Sequence, residues 1–441
     1  MILAGLASVN HQRHSPVQAS GCSLTLLIDI RSRIIRMSEA NQKRGTNMIK
    51  NFGSLYAGHV DLGELGLGAT AVNDRRFDND HLSSIFSRVE KIAKVMDDLD
   101  YHSFWMAEHH FQHEGNETIP NLLLLYVHLA NITKNLKFGC GFNINPMWHP
   151  LRLAEDYATA DILTKGRVIF GVGRGYHSRE VDTFGVPSTN SDNDANREMF
   201  EEQIEIIMKA FNEESFSHQG KHYTIPPEVP YRGYTLKEIT LVPRPKHLPV
   251  ETWQPMVSST QRAMDFMAKH NIQPIIGGGA VTGGPSDDVV QRWTDTLVKH
   301  GYKDVQLGSR LVVGLPTFIA DTEKEAIEQS RKYLEEDMKM FAPLGFFRSF
   351  TPEMITTLGD PSRAPSAGFP TMEDAIADGA WVCGTPEKIT ERVMEIQDKY
   401  PGLEYMHVGM GRQGVPLDVM IEQLERFGKE VMPKFNVEKR S

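Results

Sequence analysis

From about residue 52 to residue 427 the chain repeats one pattern, a short apolar run followed by a longer stretch with helical spacing. The apolar runs are Phe52–Gly58, His102–Ala107, Leu136–Asn143, Val168–Val172, Thr252–Val257, Gln273–Ile276, Val305–Val313 and Glu404–Val408. Between and after them lie helix candidates at Leu82–Leu99, Leu122–Ile132, Leu151–Leu163, Arg197–Phe211, Thr260–His270, Asp287–Lys299, Glu323–Phe341, Pro386–Lys399 and Leu417–Phe427. In the first of these, Leu82, Ile85, Val89, Ile92, Val95 and Met96 keep a helical spacing. Strands that alternate with helices pair in parallel, because each helix returns the chain to the same edge. Eight such strands predict an α/β fold, a single (β/α)₈ TIM barrel with insertions after several strands. Three stretches carry the length beyond a minimal barrel: Gly175–Ala195, Asn212–Pro249 and Ala342–Cys383. Long inserts after barrel strands form lids or pocket walls.

Residues 1–47 keep no sustained period and are expected to be an extension outside the barrel, with room for disorder. The fold restarts at Met48-Ile49-Lys50-Asn51-Phe52-Gly53, so the barrel domain is expected over residues 48–441. An intact native mass that includes Met1 would overturn Met48 as the start. Hydrophobic residues at 40% and charged residues at 24% suit a folded globular chain. With 47 Lys and Arg against 57 Asp and Glu, the net charge of −10 argues against nucleic acid or an anionic membrane as partner. Cys22, Cys140 and Cys383 are odd in number and far apart, which fits a reducing cytoplasm. The early apolar run Ser23–Ile30 is too short to span a bilayer and is broken by Asp29.

Candidate chemistry gathers where strands end. Glu108-His109-His110 closes the second strand, and the ends of barrel strands face the active site. Two histidines and a carboxylate provide proton transfer near neutral pH, with a partner to fix a tautomer. Adjacent residues on a strand point to opposite faces, so one histidine addresses the pocket. No HxxxH or Cys/His spacing accompanies them, and no metal is expected. Gly171-Val172-Gly173-Arg174-Gly175-Tyr176 follows the fourth strand; its glycines allow close backbone approach, and Arg174 suits a phosphate. It fails as a Rossmann fingerprint, since the last glycine is missing and no helix follows. Ser258-Ser259-Thr260 opens a helix, where hydroxyls and free N–H groups either bind an anion or simply cap. Gly277-Gly278-Gly279 either admits a flat ring or makes a turn. In the Asn145–Pro150 segment, His149 before Pro150 reads as a turn residue, and Arg152 with Asp156 reads as a helix-surface pair.

Taken together these stretches resemble the luciferase-like family of flavin-dependent monooxygenases, and within it the bacterial luciferase catalytic subunit. The similarity runs from about Phe52 to Phe435. It is carried by Phe104–Phe111, by His149-Pro150 to Asp156 followed by Asp161 and Lys165-Gly166-Arg167, and by Phe170–Tyr176 with Phe184-Gly185. Cys383-Gly384-Thr385-Pro386-Glu387 and Val431-Met432-Pro433 add to it. The resemblance implies a TIM barrel that binds reduced FMN as a dissociable co-substrate, supplied by a separate flavin reductase. With O₂ it would oxidise a small organic substrate. It implies that His109 is the catalytic histidine, with Glu108 and His110 in support. Arg174, Arg197, Ser258, Ser259 and Thr260 would hold phosphate, Gly141 and Phe142 would lie against the flavin ring, and Tyr176 with His177 would shape the pocket. A homodimer is the family's usual assembly. This sequence has Gly173 where the luciferase subunit has a reactive cysteine, Phe142 where a small residue is usual, and Gly277-Gly278 in place of bulkier pocket residues. Light emission and an aldehyde substrate are therefore not implied. Two other readings stay open: a deazaflavin-dependent oxidoreductase on the same fold, and a non-catalytic flavin-binding protein.

Overall fold

Eight parallel strands pair edge to edge and close on themselves, each buried along almost its whole length. In the computed structural model, which describes residues 49–257, 259–277, 285–347, 349–409, 411–435 and 437, they are β1 (Asn51–Tyr56), β2 (Ser103–Met106), β3 (Lys137–Cys140), β4 (Val168–Gly173), β5 (Thr252–Pro255), β6 (Ile272–Gly277), β7 (Val312–Ile319) and β8 (Tyr405–Gly409). Successive strands are neighbours throughout. Thr252 pairs with Phe170 across β4 and β5, and Asn51 pairs with Tyr405 where β1 meets β8. The chain is a closed (β/α)₈ barrel. The expected extension over residues 1–47, Cys22, Ser258 and Gly278-Gly279 lie outside the described residues.

The lumen is a packed core rather than a pore. Trp105, Phe142, Ile169, Trp253, Ile275 and Val312 fill it, with Leu55 and Tyr405 against them. The Trp105 and Trp253 rings sit 4.8 Å apart between centroids. This crowding requires missing side chains next to the indole. A Cβ on Gly139 would stand 2.1 Å from Trp105 ring atoms, and one on Gly171 would stand 1.5 Å from the Cys140 carbonyl oxygen. On the outer face the strands meet α1 (Ile85–Asp98), α2 (Leu122–Asn131), α3 (Pro150–Thr164), α4 (Asn193–Asn212), α5 (Gln261–Lys269), α6 (Pro285–Lys299), α7 (Glu323–Phe341), α8 (Pro386–Lys399) and α9 (Leu417–Arg426). Helix α1 buries Ile85, Val89, Ile92 and Met96, the face that its spacing predicts.

Helix starts are set by local chemistry. Asn121, Asp192, Thr260, Thr322 and Thr385 each accept a first-turn N–H on the side chain, which satisfies a donor with no partner inside the helix. His149 does the same ahead of Pro150, in keeping with its reading as a turn residue. Arg152 reaches Glu155 at 2.7 Å and Asp156 at 3.6 Å on the helix surface.

Three expectations change. The seventh strand runs over Val312–Ile319 rather than Val305–Val313, and residues 305–311 are largely turns. A strand buried on both faces reads as a continuous apolar run, and Gly314 and Pro316 interrupt that run in the sequence. The third strand ends at Cys140, and Asn143–Ile144 pairs separately with Val172 and Gly173. The Asn212–Pro249 insert follows helix α4, not a strand, and folds into two small antiparallel hairpins. None of its residues lines the cavity described below. The other two inserts do reach the strand ends. Gly175–Ala195 holds a short helix, Ser178–Val181. Ala342–Cys383 holds helices Pro352–Leu358 and Met372–Ala377 and leads into Val382–Gly384, a strand beside the end of β7. Among the described residues no helix is long and apolar enough to cross a membrane.

Candidate active site

The C-terminal ends of β1 to β5 open into a cavity of about 350 Å³. Leu55, Ala57, Phe142, Ile144, Met256, Val257 and Phe346 give it apolar walls, while polar groups gather at opposite ends.

At one end stands His109. Strand β2 stops at Met106, and the next residues carry His109 into the cavity wall at 6% exposure. Its Nδ1 lies 3.1 Å from Glu180 Oε2, and its Nε2 lies 3.3 Å from Glu117 Oε1. Burial pulls the imidazole pKa down, but Glu117 and Glu180 together overcome this and raise it to about 9. For Glu180, burial raises the carboxyl pKa and the facing His109 outweighs it, leaving about 2. Glu117 is held below the usual range in the same way. His109 is therefore an imidazolium at neutral pH, gripped by a carboxylate at each ring nitrogen. Gln112 donates to Glu180 Oε1 at 2.9 Å, and the Tyr176 and His109 rings meet edge to face with centroids 5.8 Å apart.

Glu108 and His110 face other tasks. Glu108, 1% exposed, accepts from Ile144 N and Trp148 Nε1, each at 2.9 Å, and lies 3.2 Å from His110 Nε2. Its carboxylate thus ties the loop after β3 to the end of β2 while forming part of the cavity wall. His110 turns away from the cavity and packs on Phe184 at 5.0 Å. One histidine faces inward and one outward, although both lie beyond the end of β2 and strand alternation does not set their directions.

The other end is cationic. Arg174 leaves β4 and donates to Asn196 Oδ1 at 2.9 Å and Asn193 Oδ1 at 2.8 Å. Burial, and then the charge of Arg197, lower its pKa to about 10. Arg197 projects from the first turns of α4 and makes no ion pair with a described residue, while nearby Glu201 is taken by Arg262 at 2.6 Å. Thr260 caps α5 and also lines the cavity, so its capping and ligand-facing readings coincide. Ser259 stands beside it, outside the lining, with its carbonyl accepting from Arg292 at 2.7 Å. Gly141 and Phe142 form the β3 wall.

Sequence reasoning passed over Glu117, Glu180, Gln254 and Phe346. Glu117 and Glu180 are 2% exposed yet sit in polar stretches that read as surface loops. Only three-dimensional folding shows that they converge. Ring nitrogens of His109 and His177 and an oxygen of Glu180 lie within 4.8 Å of one another. Each His109 nitrogen already faces a carboxylate, so both ring nitrogens are taken.

The luciferase-like monooxygenase family matches residues 71–401, three quarters of the chain. The chain belongs to that family. A luciferase-like relative, 2,5-diketocamphane 1,2-monooxygenase 1 of Pseudomonas putida, is 23% identical over 78% of this chain and 92% of its own length. The oxygenase component of the flavin-dependent trigonelline monooxygenase of Acinetobacter baylyi is 30% identical over 35% of this chain and 41% of its own. The curated relatives heading the comparison are likewise covered over only 37–41% of their length. Among solved luciferase-like folds, the oxygenating constituent of 3,6-diketocamphane monooxygenase from Pseudomonas putida, in complex with FMN, superposes with a TM-score of 0.63. It is 21% identical, covering 89% of this chain and 100% of that one.

Proposed function

We propose that this luciferase-like chain is the oxygenase of a two-component monooxygenase. It would take reduced FMN from a separate flavin reductase and use O₂ to oxidise a small organic substrate, working as a homodimer. The observation that carries the reading is a single cavity joining a cationic end at Arg174 and Arg197 to a buried imidazolium at His109.

The residues suit a flat ring with a phosphate tail. Arg197 has a cationic head without a described ion-pair partner, and Arg174 already bears the cost of a second cation beside it. Gln254, which lines the same space, has a buried side-chain oxygen with no hydrogen-bond partner among the described residues. Arg174, Arg197 and the Thr260 helix start would hold the phosphate, with Ser259 and Ser258 next to it. Gly141 and Phe142 would lie against the ring. Reduced FMN, when bound, supplies the electrons that activate O₂. The protein supplies order and a proton. Phe142, Tyr176 and Phe346 keep water from the reacting side, and Glu108 holds the loop that carries the β3 wall. His109 enters charged, so its role at neutral pH is to donate a proton or steady developing negative charge, rather than to act as a base.

Anaerobic titration with reduced FMN, followed by O₂ uptake across a panel of cyclic ketones, N-methylated heterocycles and aldehydes, tests the reading. The expected result is saturable binding and substrate-stimulated O₂ uptake. Arg197→Ala should weaken reduced FMN binding about tenfold to 100-fold, the loss of one charge-assisted contact. Preference for reduced deazaflavin without O₂ uptake would overturn the assignment.

A further inference from the structure

Both His109 nitrogens end on carboxylates, so any proton that leaves the ring must be replaced through one of them. Glu180 leads no further in that respect, because its other hydrogen bond comes from the Gln112 amide. Glu117 does lead on. Its Oε1 is 3.3 Å from His109 Nε2, and its Oε2 is 3.3 Å from His177 Nε2. His177 lines a second cavity, of about 520 Å³, on the far side of this wall. Its Nε2 and Glu117 Oε2 are both buried and have no other partner among the described residues, so the two face each other alone. The rim of that cavity includes Arg179, which is 41% exposed and pairs with Glu114 at 2.6 Å.

We propose that Glu117 and His177 form a proton relay that connects His109 to solvent in the second cavity, apart from the flavin side. It rests on His109 being the proton source of the proposed reaction. Once His109 has given up its Nε2 proton, hydronium in the second cavity protonates His177 at Nδ1 and leaves water, and the ring gives its Nε2 proton to Glu117 Oε2. A half-turn of the carboxyl carries that proton to the other side, where His109 Nε2 accepts it. Glu117 returns to a carboxylate. His177 is left as its other neutral tautomer and is reset when the whole side chain swings so that its two nitrogens exchange places. No charge or electron is left over. The arrangement lets the main cavity stay dry through turnover while its acid is renewed from behind. Glu117 and His177 are positioning and relay groups, since neither needs to touch substrate.

The test uses the full, flavin-free chain labelled with ¹⁵N-histidine and measures exchange of the His109 ring N–H protons with water by NMR. His177→Phe and Glu117→Gln should each slow that exchange by about tenfold, comparable to one unit of proton affinity, with His110 exchange unchanged. In His177→Ala, millimolar imidazole should restore the rate through the vacated ring position. Unchanged exchange in His177→Phe overturns the relay. So does slowing in His177→Ala that imidazole fails to relieve, because that pattern marks a structural role. If His177→Phe does not fold, Glu117→Gln and the imidazole series decide alone. The readout needs no flavin, so failure of the proposed oxygenase reaction and failure of the relay are separate results.

Discussion

At the scale of single residues the site is an electrostatic clamp. His109 was legible because a strand end in a barrel faces the mouth, and a histidine pair there has a chemical use. Its partners were not legible. Glu117 and Glu180 belong to loops whose composition reads as solvated, and burial of a carboxylate depends on a partner brought from elsewhere in the chain. The clamp has a pH signature. The His109 pKa rises from 6.5 to about 9 on folding, so its stabilising share is complete below 6.5 and is lost as pH climbs through 9. Glu180 falls from 4.5 to about 2, so the same pair is lost on the acid side as pH drops from 4.5 through 2. Glu180→Gln should therefore lower the melting temperature most between pH 4.5 and 6.5, with the gap narrowing toward pH 9. Calorimetry of both proteins across that range checks this, and a gap independent of pH would contradict it. Activity that needs the His109 proton should fall as pH rises through about 9 in the wild type, and at lower pH in Glu180→Gln.

At the scale of elements, the alternation of strand and helix placed seven of the eight strands to within a few residues. It succeeded because parallel strands covered by helices are continuous apolar runs, and because helix caps are local in sequence. It failed at β7, where Gly314 and Pro316 lie inside a strand buried on both faces. Such residues are tolerated there because neighbouring strands hold the backbone, and this information is not local. The glycines of β3 and β4 show the same coupling from the other side. They look like motif residues, yet Gly171 is required first by the strand beside it. Gly171→Ala drives a methyl into the Cys140 carbonyl oxygen, 1.5 Å away before any shift. Separation of β3 from β4 should cost about 1–3 kcal/mol or more. Urea unfolding should show a lower midpoint, and reduced FMN binding should weaken because Gly141 and Phe142 move with β3. A normal midpoint with weakened binding would instead make Gly171 a ligand-facing residue.

At the scale of the whole molecule, the second cavity is bounded by Ala71, Val72 and Asn73 of a loop that is held by buried charge. The loop after β1 is tied to α7 through Glu336, which accepts from Gly66 N at 2.9 Å, Arg75 Nη2 at 3.0 Å and Lys339 Nζ at 2.9 Å. Lys339 in turn donates to the carbonyls of Gly66, Ala69 and Thr70. Glu336 is fully buried, and Lys339 and Arg75 nearly so, which makes the cluster intolerant of losing the acid that pairs with both cations. Glu336→Ala leaves two buried cations facing each other, and removing one partner from a buried set costs about 3–5 kcal/mol. Glu336→Leu combined with Lys339→Leu and Arg75→Leu removes all three charges together and should recover much of that loss. The comparison separates the cost of an unpaired charge from any need for the charges themselves. If the triple substitution is as unstable as Glu336→Ala, then the Lys339 bonds to the three carbonyls, rather than charge balance, fasten the loop. In that case reduced FMN binding should survive in neither variant, because Ala71 and Val72 of the same loop stand next to the Tyr176–His177 wall across the second cavity. If charge balance is what counts, the triple variant should fold and bind reduced FMN with near wild-type affinity.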